Sequence, residues 1–167
     1  LLSFLKVRFV GEKNWAGENR AWLESLGLDG SVSFEDFVPR QRALDMLFEA
    51  DALLMIGSAD PMHAGDLPAK LFEYLAVGKP ILALVHEGEC AELLRKTGLA
   101  YIANPTDPEA IAGVLEELVV KIRAGTATAG KNEDFIRQFN RRDLTGKLAG
   151  LLDEAARAKP QRPQEEI

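Results

Sequence analysis

An alternation along the chain limits its fold more than any other feature: short, continuously apolar runs are separated by stretches whose apolar residues recur at helical spacing. The runs "ALLMI" at 52–56 and "PILALV" at 80–85 contain no polar residue. Strands read this way when helices cover both of their faces, and the alternation is that of repeated βα units around a parallel sheet. Strands are expected near 6–10, 32–34, 52–56, 80–85 and 100–102, with helices near 18–26, 40–49, 69–77 and 89–96. The runs "ALLMI" and "PILALV" are expected at the centre of the sheet. After the last strand, Asp107 has the chemistry of an N-cap, Pro108 that of a first helical residue and Gly125 that of a stop. Beyond a small-residue linker, two further helices are expected to meet near 140–143.

The chain has 167 residues, enough for one domain with a real core. Its 47% apolar and 28% charged residues are ordinary for a globular protein, which argues against disorder and against a membrane class. A formal charge of -6 without a dense basic block argues against a nucleic-acid partner. Cys90 stands alone, so no internal disulfide can form and a cytoplasmic setting is expected. The opening "LLSFL" reads as the tail of a helix, so a preceding βα unit is expected to be missing from the chain. Lys6 and Arg8 interrupt the apolar start and argue against a signal peptide. The polar end at 158–167 reads as a flexible tail, leaving 1–157 as the expected domain.

Between "ALLMI" and the helix "AKLFEYLAV" lie residues 57–68, a connection of 12 residues where α/β units usually use roughly 2–6. Ligands of open parallel sheets bind beyond the carboxyl ends of the strands, and this connection leaves such an end for a helix amino terminus. Free backbone N–H groups and the positive end of the helix dipole suit a phosphate there. Leu71, Phe72 and Leu75 form a stripe for the sheet, while Lys70 and Glu73 share the other side. Two readings stand. One is an exposed ion pair worth a few tenths of a kcal/mol, which spacing alone favours. The other is a ligand site in which Lys70 meets phosphate and Glu73 accepts hydrogen bonds from a ribose diol.

The ordered set "VRFVG", "FEDFVP", "ADALLMIGS", "LPAKLFEYLAVGKPILAL" and "DPEAI" resembles the carboxyl-terminal domain of retaining group 1 nucleotide-sugar glycosyltransferases with the GT-B architecture. The resemblance runs from about Val7 to Glu154. It implies a Rossmann-like, doubly wound parallel sheet that binds the donor half of the reaction. It further implies a hexosyl transferase using a UDP-, GDP- or ADP-linked sugar as substrate, with no separate cofactor. By the same resemblance Glu73 meets the ribose and Lys70 the diphosphate. Gly65, Asp66, Leu67, Pro68 and Ala69 lie by the phosphates and sugar, and Phe37, Val38 and Pro39 lie against the nucleobase. Residues after the strand "ILALV", His86 among them, line the same face. His63 is read from its place in the long connection, either as a group that approaches the donor phosphate or sugar or as a solvated polar residue. No catalytic residue is identified. The chain departs from the family pattern at Gly65, where many members carry a second, sugar-binding glutamate. The basic pair of other members and the whole amino-terminal acceptor domain would precede Leu1; any membrane contact would be made through that domain.

The remaining chemistry-bearing residues point less far. No spacing of His, Cys and carboxylates suggests a metal site. Cys90 at a helix start reads as a small buried apolar residue rather than a reactive thiol. Trp15 and Trp22 are expected to pack, "GLDG" at 27–30 to stop a helix, and Arg141 and Arg142 to flank a helix start. Two other readings of function are weighed beside the transferase: half of a nucleotide-sugar 2-epimerase-like isomerase, and a nucleotide-binding module without chemistry.

Overall fold

The structure is a computed structural model that describes residues 5–11 and 14–157, with the side chains of 14–18 left aside. The expectations for "LLSFL", for the Trp15 side chain and for the tail at 158–167 fall outside what is described. The chain divides into two compact units, 1–50 and 51–167.

The first unit runs β1 (Val7–Val10), α1 (Asn14–Ser25), β2 (Val32–Glu35) and α2 (Arg40–Glu49). Its two strands pair in parallel, Val7 opposite Val32 and Val10 opposite Glu35. The Phe9 and Phe34 rings, opposite one another in that register, stack with centroids 5.3 Å apart. Helix α1 begins four residues before the expected start, because its first turn, "NWAG", carries no apolar periodicity to reveal it. It ends as "GLDG" predicts. Gly27 takes a φ of 66°, the Gly27 N–H donates to the Glu24 carbonyl, and the Leu28 N–H donates to the Leu23 carbonyl. This is the Schellman pattern that glycine favours. Trp22 corrects an expectation. It is 60% exposed, while its neighbour Leu23 is buried, since adjacent helical residues point about 100° apart and only one of the two can face inward.

The second unit carries β3 (Leu53–Ile56), α3 (Ala69–Val77), β4 (Ile81–Leu84), α4 (Glu89–Thr97), β5 (Ala100–Ala103), α5 (Pro108–Arg123), α6 (Glu133–Arg137) and α7 (Arg141–Arg157). The strands form a parallel sheet in the order β3-β4-β5, with Leu53, Ile81 and Ala100 in line. "PILALV" is thus central in this sheet, whereas "ALLMI" forms its end strand. Apolar continuity reports that both faces of a strand are covered; it does not report how many strands flank it.

The core is built where sheet meets helix. Met55 and Ala83 from the strands, Leu71 and Leu75 from α3, and Leu94 from α4 are all buried together. The side of α3 carrying Phe72 is covered by Phe139, with ring centroids 5.4 Å apart. Tyr74 donates its hydroxyl to the Leu54 carbonyl at 3.3 Å, and burial raises its pKa. Helix α4 closes on Gly98, whose φ is 66° and where a Cβ would stand 1.7 Å from the Gly130 carbonyl oxygen. That contact brings the 126–132 segment against the end of α4, where the Asn132 N–H donates to the Thr97 carbonyl at 2.8 Å. Asp107 and Pro108 begin α5 as expected, and Arg141 begins α7.

Candidate functional site

The 12-residue connection between β3 and α3 is folded, not slack. Asp60 caps a 3₁₀ turn over Pro61–His63, its carboxylate accepting from the Met62 N–H at 2.9 Å. Ser58 Oγ accepts from the Asp60 N–H at 3.0 Å. The connection is tied to the β4–α4 segment at three places. The Gly57 N–H donates to the Leu84 carbonyl, His86 Nε2 lies 2.8 Å from the Ala59 carbonyl oxygen, and Gly88 abuts Ala64. A Cβ on Gly88 would fall 2.5 Å from the Ala64 oxygen, at a φ of 158°, so only glycine allows the two segments so close.

These ties shape a cavity of about 460 Å³ beyond the carboxyl ends of β3 and β4. Ile56, Gly57 and Val85 line it from the strand ends, Leu67 and Pro68 from the approach to α3, and Cys90 from the first turn of α4. Its polar lining is Ser58, His63, Asp66 and His86. His63 Nδ1 and Asp66 Oδ2 are 2.9 Å apart, both residues being half-exposed or more. Cys90 is buried, and that burial raises its thiol pKa.

The amino end of α3 opens here with little to satisfy it. Its N-cap, Pro68, makes no side-chain hydrogen bond, and its first turn holds no acid. The Leu71 N–H turns back to the Pro68 carbonyl at 2.9 Å, leaving the Ala69 and Lys70 N–H groups without an acceptor among the described residues. Lys70 is exposed in that first turn, and Glu73 is half-buried one turn on. Glu73 makes a contact of its own there and is not a free group.

Of the expected site residues, the cavity gathers His63, Asp66, Leu67, Pro68 and His86. Ala69, Lys70 and Glu73 follow along α3 rather than in the cavity wall. Gly65 is exposed, and a Cβ there would meet nothing within 4 Å. Phe37, Val38 and Pro39 belong to the first unit, directly before α2; the Phe37 ring is exposed and its N–H donates to Asp36 Oδ1 at 2.8 Å. Sequence reading missed Ser58, Asp60 and Ala64. The signal was present for Asp60: Asp60-Pro61 is the same cap-and-first-residue pair as Asp107-Pro108, from which α5 was read. Among the described residues, no group of three His, Cys, Asp or Glu side chains could hold a metal ion, and no helix is long and apolar enough to cross a membrane.

Comparison with known proteins bears on the fold and the family. The structure is similar to that of HepE from Anabaena, solved in complex with UDP, with a TM-score of 0.71 and 18% identity over 90% of this chain and 41% of that one. It is also similar to a sucrose-phosphate synthase from Thermosynechococcus elongatus, with a TM-score of 0.69 and 18% identity over 92% of this chain and 39% of that one. In sequence it is 26% identical over 151 residues to WcaL of Salmonella typhimurium, and 27% identical to WcaL of Escherichia coli; both relatives are named as glycosyltransferases of colanic acid biosynthesis. The matches take in 88% of this chain and 37% of each WcaL, so the chain spans well under half the length of its relatives. The family model of the group 1 glycosyl transferases matches residues 3–121, most of the chain. The chain therefore belongs to the group 1 glycosyl transferases, with their Rossmann-like α/β fold.

Proposed function

We propose that this chain is the donor-binding part of a glycosyltransferase that moves a sugar from a nucleoside diphosphate to an acceptor. The observation that carries the reading is the amino end of α3: uncapped, free of acids, flanked by Lys70, and set at the carboxyl edge of a parallel sheet beside a cavity. An anion of two phosphates satisfies the Ala69 and Lys70 N–H groups and the helix dipole together. Lys70 adds a mobile point charge to the same anion, and Glu73 offers a carboxylate to the ribose hydroxyls. In the transfer itself, negative charge grows on the leaving diphosphate as the bond to the sugar breaks. The helix end and Lys70 stabilise that charge, and this is an electrostatic contribution that needs no protein nucleophile.

The UDP in the HepE complex supports a uridine donor for this chain. The acceptor is met by an amino-terminal domain of the same polypeptide, in keeping with the length of the relatives. A cytoplasmic setting goes with a chain whose single cysteine leaves no internal disulfide to form. Calorimetric titration of UDP, GDP and ADP tests the reading. One of the three binds, and Lys70→Ala and Glu73→Ala each weaken it severalfold. Absence of binding by all three, or unchanged affinity in both variants, rejects it.

A further inference from the structure

Residues 85–88, which lead from β4 into α4, hold the connection before α3 near both of its ends. At its start, the Gly57 N–H donates to the Leu84 carbonyl at 2.8 Å, and His86 Nε2 meets the Ala59 carbonyl oxygen at 2.8 Å. Near its end, Gly88 lies against Ala64. Between these ties the chain is stiff. Asp60 caps the 3₁₀ turn, and the Ala64 N–H donates to the Pro61 carbonyl at 3.0 Å. The Asp66 N–H donates to the His63 carbonyl at 3.0 Å, and the Asp66 carboxylate meets His63 Nδ1, so the turn is closed across Gly65. Leu67 and Pro68 alone separate it from α3, and the Pro68 ring restricts φ, here -67°. A displacement of Ala64 therefore passes on to the first turn of that helix.

Gly88 is where such a displacement is prevented. Its φ of 158° and ψ of -165° fall in a region that essentially only glycine occupies, and a Cβ would stand 2.5 Å from the Ala64 carbonyl oxygen and 3.0 Å from the Ala64 Cβ. The same residue is the N-cap of α4, where Ser, Thr, Asp or Asn would supply an acceptor that glycine lacks. A side-chain cap is forgone at the one place where the two segments must touch. We propose that Gly88 is a positioning residue for the diphosphate: by seating Ala64, it fixes where the Ala69 and Lys70 N–H groups stand. This rests on the donor-site reading and adds to it a residue that acts through the connection.

The test is calorimetric titration of UDP, GDP and ADP on the protein, on Gly88→Ala, on Gly88→Ala combined with Ala64→Gly, and on Gly125→Ala as a control. Gly125 has a φ of 68° and nothing within 4 Å of a Cβ built on it, so Gly125→Ala strains a helix end without pressing on the connection. Gly88→Ala weakens the nucleotide that binds about tenfold, the scale of a hydrogen bond to a charged group, whereas Gly125→Ala lowers stability and leaves affinity unchanged. Ala64→Gly removes the facing Cβ and recovers part of the affinity but none of the stability, since glycine favours the unfolded chain. Without nucleotide, the Ala69 and Lys70 amides move in ¹H–¹⁵N spectra of Gly88→Ala and stay in place in Gly125→Ala. Should Gly88→Ala fail to fold, amide exchange in the unaltered protein decides. By reciprocity, a nucleotide that needs the seated connection slows exchange of the Gly57 N–H, and leaves that of the Asn132 N–H, bonded to Thr97 at the other end of α4, as it was. Unchanged affinity in Gly88→Ala while Lys70→Ala weakens binding, an equal loss in Gly125→Ala, or equal slowing at Gly57 and Asn132 overturns the positioning role and leaves the donor site standing. Failure of every nucleotide to bind overturns both.

Discussion

Helices α3 and α5 leave strands of the same sheet and both press leucines into its core, yet their amino ends are opposites. Helix α5 follows β5 after residues 104–107 and is finished locally: Asp107 accepts from the Ala110 N–H at 2.9 Å, Pro108 takes the first position, and Glu109 lies in the first turn. Helix α3 follows β3 after 12 residues and has neither a side-chain cap nor an acid, with Lys70 added to an end that is already positive. A capped end needs nothing further. An uncapped end of like charge costs stability unless water or a ligand completes it. Helix α4 stands between them, with no cap from Gly88 but with Glu89 and Glu92 in its first turn.

The comparison can be broken at the core first, where the two helices should behave alike. Leu71 and Leu118 are both buried, and Leu→Ala at either is expected to cost about 3 kcal/mol in denaturant unfolding. A cost at only one of them would mean that the helices differ in their packing and not just at their ends. A smaller effect comes from giving α3 what α5 has. Pro68→Asp should raise stability by roughly 0.5–1 kcal/mol while weakening nucleoside diphosphate binding more than tenfold, because the new carboxylate takes the N–H groups and repels the phosphates. The reciprocal change, Asp107→Ala, should cost about 1 kcal/mol in unfolding and leave nucleotide affinity untouched.

The least effect is expected from acid at α4. The Arg95 guanidinium hydrogen-bonds Glu87 and lowers its pKa below the ordinary 4.5. A carboxylate with a lowered folded pKa contributes stability that is complete above 4.5 and is lost as pH falls through the folded value. Glu87 is fully exposed, so Glu87→Gln should change the acid limb of a pH–stability curve barely, if at all. A large change would show that this pair, and not the core, holds α4 in place.

Much of this contrast is legible in the residues themselves. Asp107-Pro108 and Gly125 announce α5, and the continuous runs "ALLMI" and "PILALV" announce β3 and β4, because caps and apolar continuity are local signals. The length of the connection before α3 marks the place of the cavity before any coordinate does. What escaped reading was set by residues distant in sequence. Sequence spacing cannot tell that β3 ends its sheet, or that His86 Nε2 meets the Ala59 carbonyl across 27 positions. Trp22 fails for a related reason: an aromatic on a short helix packs only if the fold turns that face inward.

The most direct test of the α3 assignment reads the backbone amides while a nucleoside diphosphate is added. In ¹H–¹⁵N spectra the Ala69 and Lys70 amides should move strongly and saturate with the calorimetric affinity, while the Glu109 and Ala110 amides of α5 stay where they are. Movement at α5 equal to that at α3, or stillness at Ala69 and Lys70 with nucleotide bound, would contradict the assignment of the diphosphate to the uncapped helix.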